Sequence, residues 1–270
     1  MPAAPAERGS GETVSTPGGP VRVEEADGVT TVVLDDPGAR NALSWELVRA
    51  LSEAVEGAAA SGSRALVLRN TPPVFCAGGS VDELLEPKVG LEEIYRAFHA
   101  LDAAPMPTVA AIDGAAVGAG ITLFLCCDLA LCTPESRFDL RFLDVGIHPG
   151  GGALWRLEQV MGKQGAAALT LFGEVLDGEE AARRGLVWRC VGADDLAAEA
   201  GRLAQKAASR DPELVSRTKK TMASVAAVDG PAAAVALELA AQRWSMERPS
   251  FKVSLGELRD RLGREGRNSR

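Results

Sequence analysis

One tyrosine, two histidines and five cysteines stand in a chain of 270 residues, and aromatic side chains make up only 4% of it. Two histidines leave no histidine-rich metal cluster to consider, and no paired metal-binding histidines occur. The cysteines, Cys76, Cys126, Cys127, Cys132 and Cys190, are an odd set without zinc-type spacing. That argues for reduced thiols and a cytoplasmic protein rather than a disulfide framework, and for no bound metal. A basic excess is also lacking: 29 Lys and Arg against 37 Asp and Glu give a net charge of −8. Nucleic-acid binding is disfavoured, because neutralising phosphates needs a basic surface. No apolar run approaches bilayer length and the N-terminus has no signal-peptide core, so no membrane span or leader is expected. Neither a Gly-x-x-x-x-Gly-Lys-Ser/Thr loop nor a Gly-x-Ser-x-Gly elbow appears, which removes the usual support for phosphoryl transfer and serine hydrolysis.

What is present is an ordinary globular composition, 46% hydrophobic and 24% charged. Residues 1–20, rich in Pro, Ala, Gly, Ser and Thr, read as a flexible tail. Residues 21–35 alternate around Asp27-Gly28 and read as a hairpin. Ser44 is placed to cap a helix running to about residue 60. Strands are expected at 64–68, 108–112 and near 128–132, with helices around 91–101 and through Leu123-Phe124-Leu125. Alternation of strand and helix makes the core α/β. From about residue 162 the pattern turns helical, over 197–209, 215–227 and 231–247, with 187–191 the only convincing strand. The expected organisation is a tail over 1–20, a core over 21–195, a helical region over 196–258 and a polar tail over 259–270.

Two small-residue turns carry the chemistry. Cys76-Ala77-Gly78-Gly79-Ser80 and Gly118-Ala119-Gly120-Ile121-Thr122 each join a strand to a helix and expose backbone N–H groups. One donor from each, converging on one oxygen, would stabilise an enolate or tetrahedral oxyanion derived from an activated carbonyl, which points to acyl thioesters. A dinucleotide-binding turn is the competing reading of Gly118-Ala119-Gly120. It fails because Leu123 occupies the place of the third glycine.

Phe75-Cys76-Ala77-Gly78-Gly79-Ser80-Val81-Asp82-Glu83-Leu84, Asp113-Gly114-Ala115-Ala116-Val117-Gly118-Ala119-Gly120 and His148-Pro149-Gly150-Gly151-Gly152 resemble three signature stretches of the crotonase (enoyl-CoA hydratase/isomerase) superfamily. Arg40-Asn41-Ala42-Leu43 and Ala181-Ala182-Arg183-Arg184-Gly185-Leu186-Val187 are weaker matches in the same order. The resemblance implies a crotonase-like spiral of ββα turns with C-terminal helices building a homotrimer or hexamer. It also implies an acyl-CoA or enoyl-CoA substrate, with coenzyme A as part of the substrate and no separate cofactor. Carried onto this chain, the N–H groups of Gly79 and Ala119 form the oxyanion hole. Ala42 and Ala77 line the adenine end of the CoA site, with Gly78, Ser80, Val81, Gly118, Thr122 and Phe142 along the rest of it. Lys252 resembles the basic position that reaches CoA phosphates, with a solvated lysine as the alternative.

Hydratases of this family place one glutamate three residues after the second oxyanion donor and another twenty residues further on. Thr122 and Phe142 hold those places here. Neither side chain performs ordinary general acid–base catalysis. Asp144 and His148 are the candidate substitutes. Against them stand a surface carboxylate paired with Arg141 and a loop histidine bonded to backbone. His99 reads as structural, Asp82 and Glu83 as helix-capping or solvated, and Cys76 as packing. The expected function is therefore acyl-CoA thioester processing by atypical chemistry, the alternative being a non-catalytic acyl-CoA binder.

Overall fold

A computed structural model describes residues 12–14 and 19–268. The flexible tail expected over residues 1–20 falls mostly outside these residues. Within it Glu12–Val14 (β1) pairs antiparallel with Val21–Ala26 (β2).

β2 and Val29–Leu34 (β3) form the expected hairpin, and Asp27 and Gly28 both take positive φ, 52° and 77°. That is the two-residue turn whose twist suits paired strands, and Asp-Gly is a sequence that tolerates it. Trp45–Ala60 (α1) begins at Ser44, whose hydroxyl accepts from Leu47 N–H at 3.2 Å. Its buried face carries Leu47, Val48, Leu51 and Val55, the 3–4 spacing of an amphipathic helix.

After α1 the chain repeats one unit. Ala65–Asn70 (β4) enters a large sheet, Val74–Cys76 (β5) enters a small one, and the helix Val81–Leu85 (α2) follows. Leu91–Ile94 (α3) and Arg96–Ala103 (α4) then lead to Thr108–Ile112 (β6), Ala115–Val117 (β7) and Ala119–Leu125 (α5). The third turn is Leu129–Cys132 (β8), Arg137–Asp139 (β9) and Ala153–Leu171 (α6), with a non-helical break at Gly162. Val175–Asp177 (β10), Gly178–Arg183 (α7), Arg189–Cys190 (β11) and Ala193–Ala208 (α8) complete this unit. The large sheet runs β1-β2-β3-β4-β6-β8-β11 and the small one β10-β9-β7-β5. Fully buried Phe75, Phe98, Phe124 and Phe138 belong to the main core. The other face of the large sheet buries Leu196, Ala200, Ala204 and Ala208 of α8 against Ala65, Val67, Val109 and Leu131.

Several boundaries differ from the expectation. The helix expected around 91–101 is broken at Tyr95, where one short helix ends and the next begins. The strand expected over 187–191 shrinks to β11, and it is not alone after residue 162, because β10 pairs with β9. The chain divides into two compact units, 1–209 and 210–270, so α8 stands with the sheets. The second unit contains Pro212–Val225 (α9), Pro231–Glu247 (α10) and Pro249–Asn268 (α11), and the polar residues 259–268 continue α11. Inside it the Trp244 ring is flanked by the guanidinium groups of Arg217 and Arg248, 4.5 and 4.7 Å from the ring centre.

Candidate active site

β5, β7 and β9 are adjacent parallel strands of the small sheet, so their C-terminal ends lie side by side. Each signature turn leaves from one of those ends. Gly78-Gly79 follow β5, Gly118-Ala119 follow β7, and Phe142 stands three residues past β9.

The glycines are where backbones nearly touch. A β-carbon on Gly78, at φ 91°, would sit 2.9 Å from the Val117 carbonyl oxygen and 3.6 Å from the Ala119 amide nitrogen. One on Gly120 would meet the Cys76 backbone, its carbonyl carbon at 3.2 Å. Only glycine permits such approach. Gly78 is further fixed by its carbonyl, which accepts from Leu43 N–H at 2.7 Å, while Ser80 N–H donates to Leu43 O at 3.3 Å. Upstream, Ala77 N–H donates to Arg40 O at 3.1 Å, and buried Asn41 donates to Val74 O at 2.7 Å while accepting from Asp36 N–H at 2.8 Å. Ala42 is thereby set beside the Ala77–Gly79 turn.

Gly118 N–H donates to Asp139 O at 2.9 Å, which ties the second turn to β9. Among the described residues, the amides of Gly79 and Ala119 donate to no protein acceptor. Ala119 is the first residue of α5, where N–H groups are free of intrahelical bonds and the helix end carries partial positive charge. Ser80 caps α2, and Glu83 accepts from Trp45 N–H at 2.8 Å, tying α2 to the start of α1. Asp82 and Val81 are exposed.

Thr122 lies one turn along α5 from Ala119, on the same side of the helix. It is wholly buried, and its Oγ1 has no hydrogen-bond partner among the described residues. Phe142 is half-buried against the core, its Cζ 4.0 Å from the place a β-carbon on Gly118 would take. Asp144 is exposed on the turn over 142–146. Arg141 bonds Asp139, its Nε donating at 3.1 Å, so Asp139 and not Asp144 is its hydrogen-bonded partner. Asp144 only adds to the charge that holds the Arg141 guanidinium above its ordinary range. His148 is exposed, and its Nδ1 lies 2.7 Å from Pro149 O. A carbonyl oxygen only accepts, so Nδ1 donates in that bond. Burial pushes the Cys76 thiol up to about 12, in keeping with a packing role. Lys252 is exposed on α11 of the second unit.

The residue that sequence reasoning missed is Tyr95. A β-carbon on Gly150 would collide with its hydroxyl oxygen, and one on Gly151 would lie 2.6 Å from Phe98 and 3.4 Å from the Thr122 methyl. Tyr95 stacks on Phe98 with ring centres 5.7 Å apart. Its being the single tyrosine of the chain was the available signal.

The model of the enoyl-CoA hydratase/isomerase family matches residues 24–257. The Mycobacterium tuberculosis protein named Probable enoyl-CoA hydratase EchA14 is 35% identical over 255 residues, covering 90% of this chain and 98% of its own. Probable enoyl-CoA hydratase 2, mitochondrial, of Arabidopsis thaliana is 33% identical over 202 residues, 72% of this chain and 67% of its own. Among solved structures, an enoyl-CoA hydratase of Mycobacterium smegmatis superposes with a TM-score of 0.83 at 26% identity, over 90% of this chain and 96% of its own. An enoyl-CoA hydratase of Bacillus anthracis gives 0.84 at 24% identity over the same shares, a likeness of fold. With three turns of the spiral in place and the glycine-lined ends of β5 and β7 side by side, the chain belongs to the enoyl-CoA hydratase/isomerase family of the crotonase superfamily.

Proposed function

We propose that this chain is an enzyme of acyl-CoA or enoyl-CoA thioesters whose oxyanion hole is the pair of N–H groups on Gly79 and Ala119. The observation that carries the reading is the meeting of the two turns with both amides unspent. Charge building on the thioester oxygen, as an enolate or a tetrahedral oxyanion, is met there by fixed dipoles that need not reorganise. The start of α5 adds its positive end. Ala42, Ala77, Gly78, Ser80, Val81 and Gly118 would bind the thioester and its CoA arm. The C-terminal helices would serve subunit contact in a homotrimer or hexamer.

Proton handling must differ from the glutamate pair of the family's hydratases, since Thr122 and Phe142 stand in those places. His148, on the loop past the turn over 142–146, is the first candidate for that transfer, together with water on the substrate. Asp144, on the exposed turn past Phe142, is the second candidate.

Ala119→Pro tests the assignment. Proline is tolerated at the first helical position, so α5 persists while one donor disappears. On any member of an acyl- and enoyl-CoA panel that the native chain converts, kcat should fall about 10²–10³-fold. An unchanged kcat overturns the oxyanion assignment. Tight binding with no product in single-turnover experiments across the panel would make the chain a non-catalytic acyl-CoA binder.

A further inference from the structure

Two of the five cysteines stand directly opposite each other. Cys132 ends β8 and Cys190 ends β11, the strands run parallel, and their register pairs these two residues. Backbone bonds bracket the pair: Trp188 N–H donates to Ala130 O at 2.8 Å, and Val191 N–H donates to Cys132 O at 2.9 Å. Neighbouring strands lie about 4.8 Å apart, and residues paired across them share a face of the sheet. That spacing falls inside the range of about 4.4–6.8 Å between α-carbons that a disulfide bridges. Both side chains belong to the main core, and both are free thiols. Cys132 is buried, its Sγ 3.5 Å from Gly178 O at the start of α7, whereas Cys190, on the outermost strand of the sheet, keeps part of its surface in solvent. The other three cysteines have no such partner position: Cys76 on β5 is paired with Ala116, and Cys126 and Cys127 follow one another at the end of α5.

We propose that Cys132 and Cys190 form a reversible disulfide, with a low-molecular-weight disulfide as oxidant, and that this bond secures the edge strand β11 to β8. The Cys190 thiolate attacks one sulfur of the oxidant, forming a mixed disulfide and expelling one thiolate. Cys132 then attacks the Cys190 sulfur and expels the second. Two protein thiols become one disulfide, and the oxidant is reduced to two thiols that take up both protons. Burial, and after it the Cys190 sulfur, pushes the Cys132 thiol up, and burial pushes Cys190 up as well, so both rest as thiols at neutral pH and the exchange is slow there. β11 is two residues long, so few backbone bonds hold it, and a covalent link to β8 supplements them. The loop it closes contains β9, the Phe142 turn, the His148 loop and α6. The proposal is independent of the thioester reading.

Oxidised glutathione in excess at about pH 8.5, where more thiolate is present, tests it on the folded native chain. After denaturation, alkylation should label Cys76, Cys126 and Cys127, and an unreduced peptide map should link Cys132 to Cys190. The oxidised chain should melt about 5 °C or more above the reduced one, and dithiothreitol should return it to the reduced value. Cys190→Ser should abolish both the link and the shift. A chain that stays fully reduced, one that stops at a glutathione adduct on Cys190, or one that joins Cys126 to Cys127 instead overturns the proposal. A link without a rise in Tm overturns the securing role of the bond.

Discussion

At the residue scale, the site is governed by which polar groups are left unspent. Among the described residues, two backbone amides and the Thr122 hydroxyl lack protein partners, whereas Asn41, equally buried, uses its side chain on both sides. A buried hydroxyl without a partner costs about 1–3 kcal/mol, so Thr122→Val should leave the ligand-free chain as stable as before or about 1 kcal/mol more stable, as read by chemical denaturation. A loss of more than about 1 kcal/mol would show that the hydroxyl is held by an ordered water. Gly151 is the opposite case. At φ 64°, with Phe98 2.6 Å from the place of a β-carbon, Gly151→Ala should destabilise the fold by about 2 kcal/mol in the same measurement. Thr122, Phe142 and His148 can be singled out in the sequence because each stands in, or at a fixed offset from, a glycine-rich motif. Tyr95 was not legible, because only folding brings it to Gly150, across more than fifty positions of chain.

At the scale of elements, long periodic segments were readable and short ones were not. The hairpin at Asp27-Gly28, the Ser44 cap and β6 stand where residue type and spacing put them. β7, β9 and β10 are three-residue strands, too short to show a period of two. Their place is decided by the neighbours they pair with. α6 was equally hidden, since it opens on a left-handed Gly152 without a side-chain cap and breaks again at Gly162. The link between elements that matters most to the site is Asn41, which ties the approach to α1 to the end of β5. At φ 50° it also occupies the left-handed region that asparagine tolerates better than alanine. Asn41→Ala should therefore cost about 2–4 kcal/mol in urea unfolding, and it should weaken thioester binding by loosening the Gly78-Gly79 turn.

At the scale of the whole molecule, stability should fall at alkaline pH through the buried thiols. An unfolded cysteine loses its proton near 9.0, while burial holds Cys76 up to about 12 and pushes Cys126 and Cys132 upward as well. Between those values unfolding releases a proton, so the contribution is complete below pH 9 and declines as pH rises through about 12. Cys76→Ala should reduce the slope of unfolding free energy against pH above 9.5 by up to about 1.4 kcal/mol per unit, and an unchanged slope would contradict the burial of this thiol. The family, the two glycine turns and the hairpin can be read from residue identity alone, because each is a run of particular residue types at short spacing. That the two turns meet, that Phe142 stands beside Gly118 and that Tyr95 and Thr122 flank one loop became visible only with the folded chain. Those contacts depend on β5, β7 and β9 pairing side by side, and strand pairing joins segments far apart in the chain through backbone hydrogen bonds that residue identity does not encode.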